Sequence, residues 1–262
     1  MKKLLSAVVV SFLIGSVLCS CTSVENVEPK KVEKPVTVTF PSKDEIPVTA
    51  DLYMAYGNDA PLILLCHRAN WSRGEYLEIA PKLNLLGFNA IAIDQRSGKT
   101  KNEIDNATKL AAEAAGKGTT YLDAVQDIQS AIDYASKLSK KKIILWGSSY
   151  SSSLGFVLVK SNSDKIAAYL AFSPGEYFKD LGKAADWVAS EAKDVKLPVF
   201  VTSRPSEKTD AQPIFDAITN TDKTYFVPTT DSKHGSQALY AATEGNEASW
   251  KAVEAFLARF SK

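Results

Sequence analysis

Histidine, cysteine and methionine are scarce in this chain, and no stretch of it concentrates charge of one sign. The 262 residues include 2 His, 3 Cys and 2 Met. Cys19 and Cys21 stand at the end of an N-terminal apolar segment, which leaves Cys66 alone in the rest of the chain and excludes an internal disulfide there. Cys66 closes an apolar run, which favours a buried, inert thiol over a nucleophile. No paired Cys or His cluster offers a metal site, and no cofactor is expected. Lys and Arg number 31 against 30 Asp and Glu, a formal net charge of +1, so nothing points to nucleic acid or to a broadly electrostatic partner. Selectivity must then come from a pocket. With 45% hydrophobic and 23% charged residues, the chain has the balance of an ordinary globular protein, and it shows no internal repeat and no second domain.

The first segment, MKKLLSAVVVSFLIGSVLCSC, runs from two lysines through an apolar stretch to small residues, which is the order of a secretory signal. The apolar run is too short to cross a membrane and stay. Its end, Leu18-Cys19-Ser20-Cys21, resembles the bacterial lipobox, in which a cysteine is lipidated and becomes the mature N-terminus. That resemblance implies a signal peptide over residues 1–20, lipidation at Cys21, a polar tether over 21–35, and a lipid anchor in the membrane of a bacterial cell envelope, facing the periplasm or the exterior. A plain cleaved signal with incidental cysteines is the alternative. Asn70-Trp71-Ser72 and Asn106-Ala107-Thr108 fit a glycosylation pattern, which a lipobox turns into chance matches.

From residue 36 to 262 apolar runs alternate with helical patterns, which predicts an α/β domain with a mostly parallel sheet and helices on both faces. Strands are expected over Val36 to Phe40, Ile46 to Tyr56, Leu62 to Cys66, Phe88 to Ile93, Lys142 to Trp146, Ala167 to Phe172, Pro198 to Thr202 and Thr224 to Val227. Their continuous apolar character suits strands covered on both sides. Helices are expected over Tyr76 to Leu86, Tyr121 to Leu138, Tyr150 to Lys160, Ala184 to Ala192, Gln212 to Thr219 and Ala238 to Phe260. Asn102 to Gly118 is polar, Ala-rich and weakly patterned, and reads as a long, mobile excursion over the sheet's edge. Gly98-Lys99-Thr100 ends like a phosphate loop but has Ile93 where the loop's first glycine belongs.

The run Lys142-Ile143-Ile144-Leu145-Trp146-Gly147-Ser148-Ser149-Tyr150-Ser151 stops as a buried strand at Gly147 and restarts as a helix, and it resembles the nucleophile elbow G-x-S-x-G. Such an elbow puts a serine hydroxyl on a strained turn clear of the sheet, with small residues two positions to either side. Ser151 stands where the second glycine is usual, with Gly155 one turn later. A serine-rich helix start that merely caps a turn is the plainer alternative. Only His67 and His234 exist, and His234 lies in a polar loop after the last strand and before the last helix. An imidazole is the side chain able to take a proton from serine and return it near neutrality.

From about residue 46 to its end the chain resembles the α/β-hydrolase family, most of all its small dienelactone-hydrolase and esterase branch. The resemblance implies an α/β-hydrolase fold, an esterase-like activity on small ester or acyl substrates, Ser149 as nucleophile, His234 as general base, and an acid in the loop after the penultimate strand. In Pro198 to Glu207 that place falls on Glu207, with Asp210 as its rival. The order serine, acid, histidine is the family's own. His67-Arg68-Ala69-Asn70 resembles the family's His-Gly oxyanion loop, although Arg68 replaces the glycine. It implies oxyanion donors at the backbone of Tyr150 and Ala69, less readily Arg68, with His67 structural. Arg96 is placed to brace that loop or to form an exposed salt bridge, and Trp71, Tyr121, Tyr150 and Tyr177 to line a pocket or serve as plain core. The short interval from Phe172 to Pro198 leaves no room for a large lipase lid. Two other readings stay open: a cell-envelope binding protein that keeps the fold without catalysis, and a peptidase of the same fold.

Overall fold

A computed structural model describes residues 34–261. The expected signal peptide, Cys21 and the tether up to residue 33 lie outside the described residues. The strands are β1 (Val36–Pro41), β2 (Pro47–Tyr53), β3 (Leu62–Cys66), β4 (Asn89–Ile93), β5 (Ile143–Ser148), β6 (Ile166–Phe172), β7 (Val199–Thr202) and β8 (Lys223–Phe226). The helices are α1 (Ile79–Leu85), α2 (Ala107–Ala114), α3 (Val125–Leu138), α4 (Tyr150–Val159), α5 (Trp187–Ala192), α6 (Lys208–Ala217) and α7 (Asn246–Leu257).

The strands form one eight-stranded sheet in the order β1-β2-β4-β3-β5-β6-β7-β8. β1 pairs with β2, and β2 with β4, antiparallel; every other pairing is parallel. Parallel strands need crossover helices, and those cover both faces. One face is closed by residues such as Ile128, Ile132, Leu154, Val188 and Ile214 from α3 to α6. The other is closed by Ile79, Leu83, Trp250, Val253 and Phe256 from α1 and α7. Side chains alternate between the two cores along β3, Leu62, Leu64 and Cys66 going to one and Ile63 and Leu65 to the other, which is why the strand is apolar throughout. Each such aliphatic side chain contributes about 1.5–3 kcal/mol on burial.

The register brings the carboxyl ends of the parallel strands together. Cys66 pairs with Gly147, Ser148 with Phe172, and Phe172 with Thr202. The loops that leave β3, β5, β6, β7 and β8 therefore converge at one end of the sheet, where ligands of open α/β folds bind.

Three segments differ from expectation. Residues 102–118 are not a bare loop but contain α2, whose N-cap Asn106 accepts a hydrogen bond from Lys109 N–H and whose Thr108 Oγ1 accepts one from Thr49 N–H of β2 (both 2.9 Å). Its buried face consists of Thr108 and Ala112, too few residues to mark a periodic stripe. The expected last helix is broken: a 3₁₀ turn over Gly235–Leu239 is separated from α7 by Gly245, which takes φ 72° at the helix's N-cap. A side chain there would be strained and would meet Thr230 Oγ1 at 2.7 Å. α6 begins at Lys208 rather than Gln212, with Pro213 inside it.

Candidate active site

β5 ends at Ser148 and α4 begins at Tyr150, with Ser149 between them at φ 61°, ψ −126°. A non-glycine residue in that region carries a cost of order 1–3 kcal/mol, so the surroundings must hold it. Ser149 N–H donates to Phe172 O at 2.7 Å, and Ser149 O accepts from Ser152 N–H at 2.9 Å and from Ser152 Oγ at 2.6 Å. Gly147 is required by close approach, since a Cβ there would lie 2.5 Å from Ser152 Cα. Ser151 fills the second small position with its hydroxyl satisfied: it donates to Cys66 O at 2.8 Å and accepts from Ser148 N–H at 2.9 Å. Gly155 lets the Tyr169 ring lie against α4, where the phenol bonds to Ser152 O.

His234 Nδ1 lies 2.7 Å from Glu207 Oε1. Glu207 is the N-cap residue of α6, but its carboxylate makes no capping bond and turns to the imidazole instead. Oε1 also accepts from Arg204 Nε at 2.6 Å, and Oε2 from Ser173 Oγ at 2.7 Å. Burial alone would push the Glu207 carboxyl up, yet the hydrogen bonds from His234 and Ser173 and the charges of His234 and Arg204 hold it below the ordinary value. An ionised Glu207 fixes the proton on Nδ1 and leaves Nε2 as the acceptor. Asp210 is exposed on α6 and has no bond to His234.

The histidine loop is tied to two strand ends. Ser173 Oγ accepts from Gly235 N–H, and Ser148 Oγ accepts from Ser236 N–H, each at 2.9 Å. Ser149 itself is 6% exposed. Among the described residues no hydrogen bond joins Ser149 Oγ to His234; the side chain that interacts with it is Tyr177. The Tyr177 hydroxyl also donates to Ser173 O at 2.8 Å.

The loop after β3 is held from below. His67 is fully buried; its Nδ1 donates to Arg68 O at 2.7 Å and its Nε2 accepts from Gln95 N–H at 2.9 Å. Burial moves its pKa down to about 4, so the ring is a neutral structural group. Gln95 is the brace of this loop, accepting from His67 N–H and donating to His67 O, both at 3.0 Å, and reaching Tyr150 OH at 3.2 Å. Arg96 does not brace it and is not exposed. Its guanidinium is buried between Asp127 of α3 and Asp44 of the β1–β2 turn, at 2.7 and 2.8 Å. Arg68 N–H is consumed by Glu75 Oε2 at 2.7 Å. The N–H groups of Ala69 and Tyr150 have no acceptor among the described residues, the latter as the first helical residue of α4.

Four residues that shape this site were not singled out from the sequence: Glu75, Gln95, Ser148 and Ser173. Glu75 immediately precedes the helix expected over Tyr76 to Leu86, and the three others are neutral side chains whose partners lie in loops and turns far off in the sequence. Nothing local marks them. Cys66 is free and buried, and burial pushes its thiol well above the ordinary range.

A cavity of about 380 Å³ opens beside the elbow, walled by Tyr121, Tyr177 and Leu181 and by the polar Asn70, Ser97 and Thr120. Asn70 follows Ala69, Tyr177 meets Ser149, and Tyr121 stacks on Tyr150 with ring centroids 4.6 Å apart. Tyr150 itself is buried behind Tyr121, and Trp71 stacks on Tyr240, so neither lines this cavity. Among the described residues no group of three or more His, Cys, Asp or Glu is arranged to hold a metal ion.

The family model Hydrolase_4, described as serine aminopeptidase, S33, matches residues 57–259. No curated protein matches the chain. Among solved structures it is similar to the esterase Pf2001 of Pyrococcus furiosus, with a TM-score of 0.66 and 18% identity over 87% of this chain and 93% of that one. It is also similar to a dienelactone hydrolase from Anabaena variabilis, with a TM-score of 0.63 and 14% identity over 87% and 99% of the two chains. A monoacylglycerol lipase of Paleococcus ferrophilus gives 0.56 and 16% over 87% and 99%. At these identities the likeness is one of fold, and the fold is that of the α/β-hydrolases.

Proposed function

The chain belongs to the serine aminopeptidase S33 family of hydrolases, and on that premise we propose that it cleaves ester or related acyl bonds of small substrates through an acyl-enzyme at Ser149. The observation that carries this reading is the Glu207–His234 contact at 2.7 Å, set beside a serine in a strained strand-to-helix turn. In the reaction His234 Nε2 takes the Ser149 proton as Oγ bonds to the substrate carbonyl carbon. The Oγ–H to Nε2 contact that this needs replaces the Ser149–Tyr177 interaction, and such contacts tighten when substrate is present. The carbonyl oxygen gains the negative charge and is bound by the N–H groups of Tyr150 and Ala69. Imidazolium beside Glu207 then returns the proton to the leaving alkoxide, which departs as the alcohol. Water, deprotonated by the same nitrogen, cleaves the acyl-enzyme to free acid and restores Ser149.

The size of the cavity and its mixed aromatic and polar walls support short, polar or aryl esters. Between β6 and β7 the chain carries only short helical pieces, with no lid to cover a long acyl chain. The family's description favours one further reading, cleavage of an aminoacyl bond. Turnover of p-nitrophenyl acetate against that of aminoacyl p-nitroanilides separates the two. A fluorophosphonate probe separates both from a binding protein: it should label the wild type and not Ser149→Ala. A wild type that neither takes the probe nor hydrolyses either substrate overturns the proposal. We place the enzyme on a cell-envelope membrane through a lipid on Cys21, a reading supported by the N-terminal sequence.

A further inference from the structure

Glu75 is a fully buried carboxylate in the 3₁₀ turn Arg73–Tyr76, and the reaction described above makes no use of it. Among the described residues no Lys or Arg side chain lies within ion-pair distance of it. An ionisable group buried without such a partner is costly, and a Gln or an apolar residue would occupy the same space with less penalty. What the carboxylate does hold is the frame of the site. Its Oε2 accepts from Arg68 N–H and its Oε1 from Ser148 Oγ–H, both at 2.7 Å. The same Ser148 Oγ accepts from Ser236 N–H at 2.9 Å, and the Glu75 backbone oxygen accepts from Tyr240 OH at 2.7 Å. Arg68 precedes the oxyanion donor Ala69, Ser148 precedes Ser149, and Ser236 follows His234 by two residues.

We propose that Glu75 is a positioning residue of the hydrolytic reaction, holding the oxyanion loop at Arg68, the elbow at Ser148 and, through Ser148, the histidine loop in a single alignment. The proposal rests on the serine-hydrolase reading. Both of its side-chain bonds are bonds that a carboxylate accepts, so the alignment belongs to the ionised form. A proton on Oε2 would face the Arg68 N–H. A proton on Oε1 would reverse the Ser148 bond and leave the Ser148 hydroxyl hydrogen without its acceptor.

The groups packed around Glu75 set when this happens. Arg68 and Lys101, both held over the Trp71 ring, favour its charge. Cys66 of β3, Tyr76 of its own turn and Tyr240 beyond the histidine loop face it as neutral groups, each pushed above its ordinary value by burial. Gly235 presents no side chain. Burial dominates and moves the Glu75 carboxyl up to about 7, despite the opposing bonds from Ser148 and Arg68. The full rate therefore requires Glu75 to be deprotonated, in addition to the free Nε2 that His234 needs to act as base.

The test is the acid limb of kcat/KM against pH for a short ester, read on folded protein whose active serine is counted with a fluorophosphonate. In the wild type the logarithmic slope should exceed 1 and reach about 1.5 to 1.8, and in Glu75→Gln, which imitates the neutral form at every pH, it should stay at about 1. The plateau kcat of that variant should fall about 10- to 100-fold, the scale of a small misalignment, with KM within about twofold. Ser148→Ala offers a second reading should Glu75→Gln fail to fold. It removes a bond that lowers the carboxyl's pKa, so its acid limb should move to higher pH. A labelled, ester-cleaving wild type whose slope stays near 1, or a Ser148→Ala limb that does not move, overturns the role of Glu75 alone. Absence of labelling at Ser149 overturns the hydrolase reading and this proposal with it.

Discussion

Ser148 Oγ accepts the Ser236 N–H at 2.9 Å, so the residue before the proposed nucleophile holds the residue two positions beyond the proposed base. The contact joins the end of β5 to the 3₁₀ turn Gly235–Leu239 that follows His234, and Trp146 Nε1 of the same strand donates to Ser236 Oγ at 2.8 Å. Ser173 Oγ repeats the arrangement one strand further along, accepting Gly235 N–H while donating to Glu207. Two serine hydroxyls at strand ends thus orient the imidazole without touching it.

If Ser149 and His234 act as one unit, their losses should not add. Serine is a poor nucleophile until the imidazole takes its proton, so Ser149→Ala or His234→Ala should each lower kcat on p-nitrophenyl acetate by on the order of 10⁴-fold. The double variant should be scarcely worse than either. A folded Ser149→Ala protein that turns over the ester at near wild-type rates would refute the assignment.

The acid is testable by exchange of one atom. Glu207→Gln keeps the shape but can no longer stabilise imidazolium, and it frees the tautomer that Glu207 fixes at Nδ1. A fall in kcat of about 10²- to 10⁴-fold is expected, against little change for Asp210→Asn, whose side chain stands in solvent. Steady-state assays at equal folded protein decide it, and a worse Asp210→Asn would reverse the roles.

How far the sequence spoke for itself varied with the kind of signal. β3 occupies Leu62–Cys66, the bounds expected of it, because a strand buried on both faces is an unbroken apolar run, here bounded by Pro61 and His67. The other strands fall within a few residues of expectation, β4 to β7 for the same reason, whereas β1 and β8 are edge strands with mostly exposed or half-buried residues. α2 was missed because a helix that buries only a threonine and an alanine has no stripe to see. At the site, Glu207 was reachable because its place follows from counting past a strand, and the structure puts it on His234. Gln95 and Glu75 act through bonds to residues 28 and 73 positions away, and no local pattern encodes such a partner. Arg96 was misplaced for a related reason: its partners Asp44 and Asp127 lie 52 and 31 positions away, on either side of it in the sequence.

The proposed lipid anchor predicts that Cys21→Ser accumulates as unprocessed, unlipidated precursor. Metabolic labelling with palmitate should mark the wild type and leave the variant blank. Labelling of Cys21→Ser at the wild-type level would show that Cys21 is not the modification site.

Glu75 should also leave a mark on stability, opposite in sign to its effect on activity. Its carboxyl is raised in the folded protein from 4.5 to about 7, so the folded state binds the proton more tightly than the unfolded chain does. That contribution is fully present below pH 4.5 and is lost as the pH rises through 7. The loss amounts to about 3 kcal/mol at 1.36 kcal/mol per unit. Asp94, raised by burial to about 6 against the pull of Arg73, slopes the same way. It is present in the wild type and in Glu75→Gln alike, and so cancels between them. Glutamine has no charge to bury. In urea unfolding the stability of Glu75→Gln relative to wild type should therefore increase by about 2 to 3 kcal/mol between pH 5 and pH 8. If the difference between the two proteins is the same at both pH values, Glu75 is already ionised at pH 5 in the folded protein as it is in the unfolded chain, and its protonation does not set the acid limb of activity.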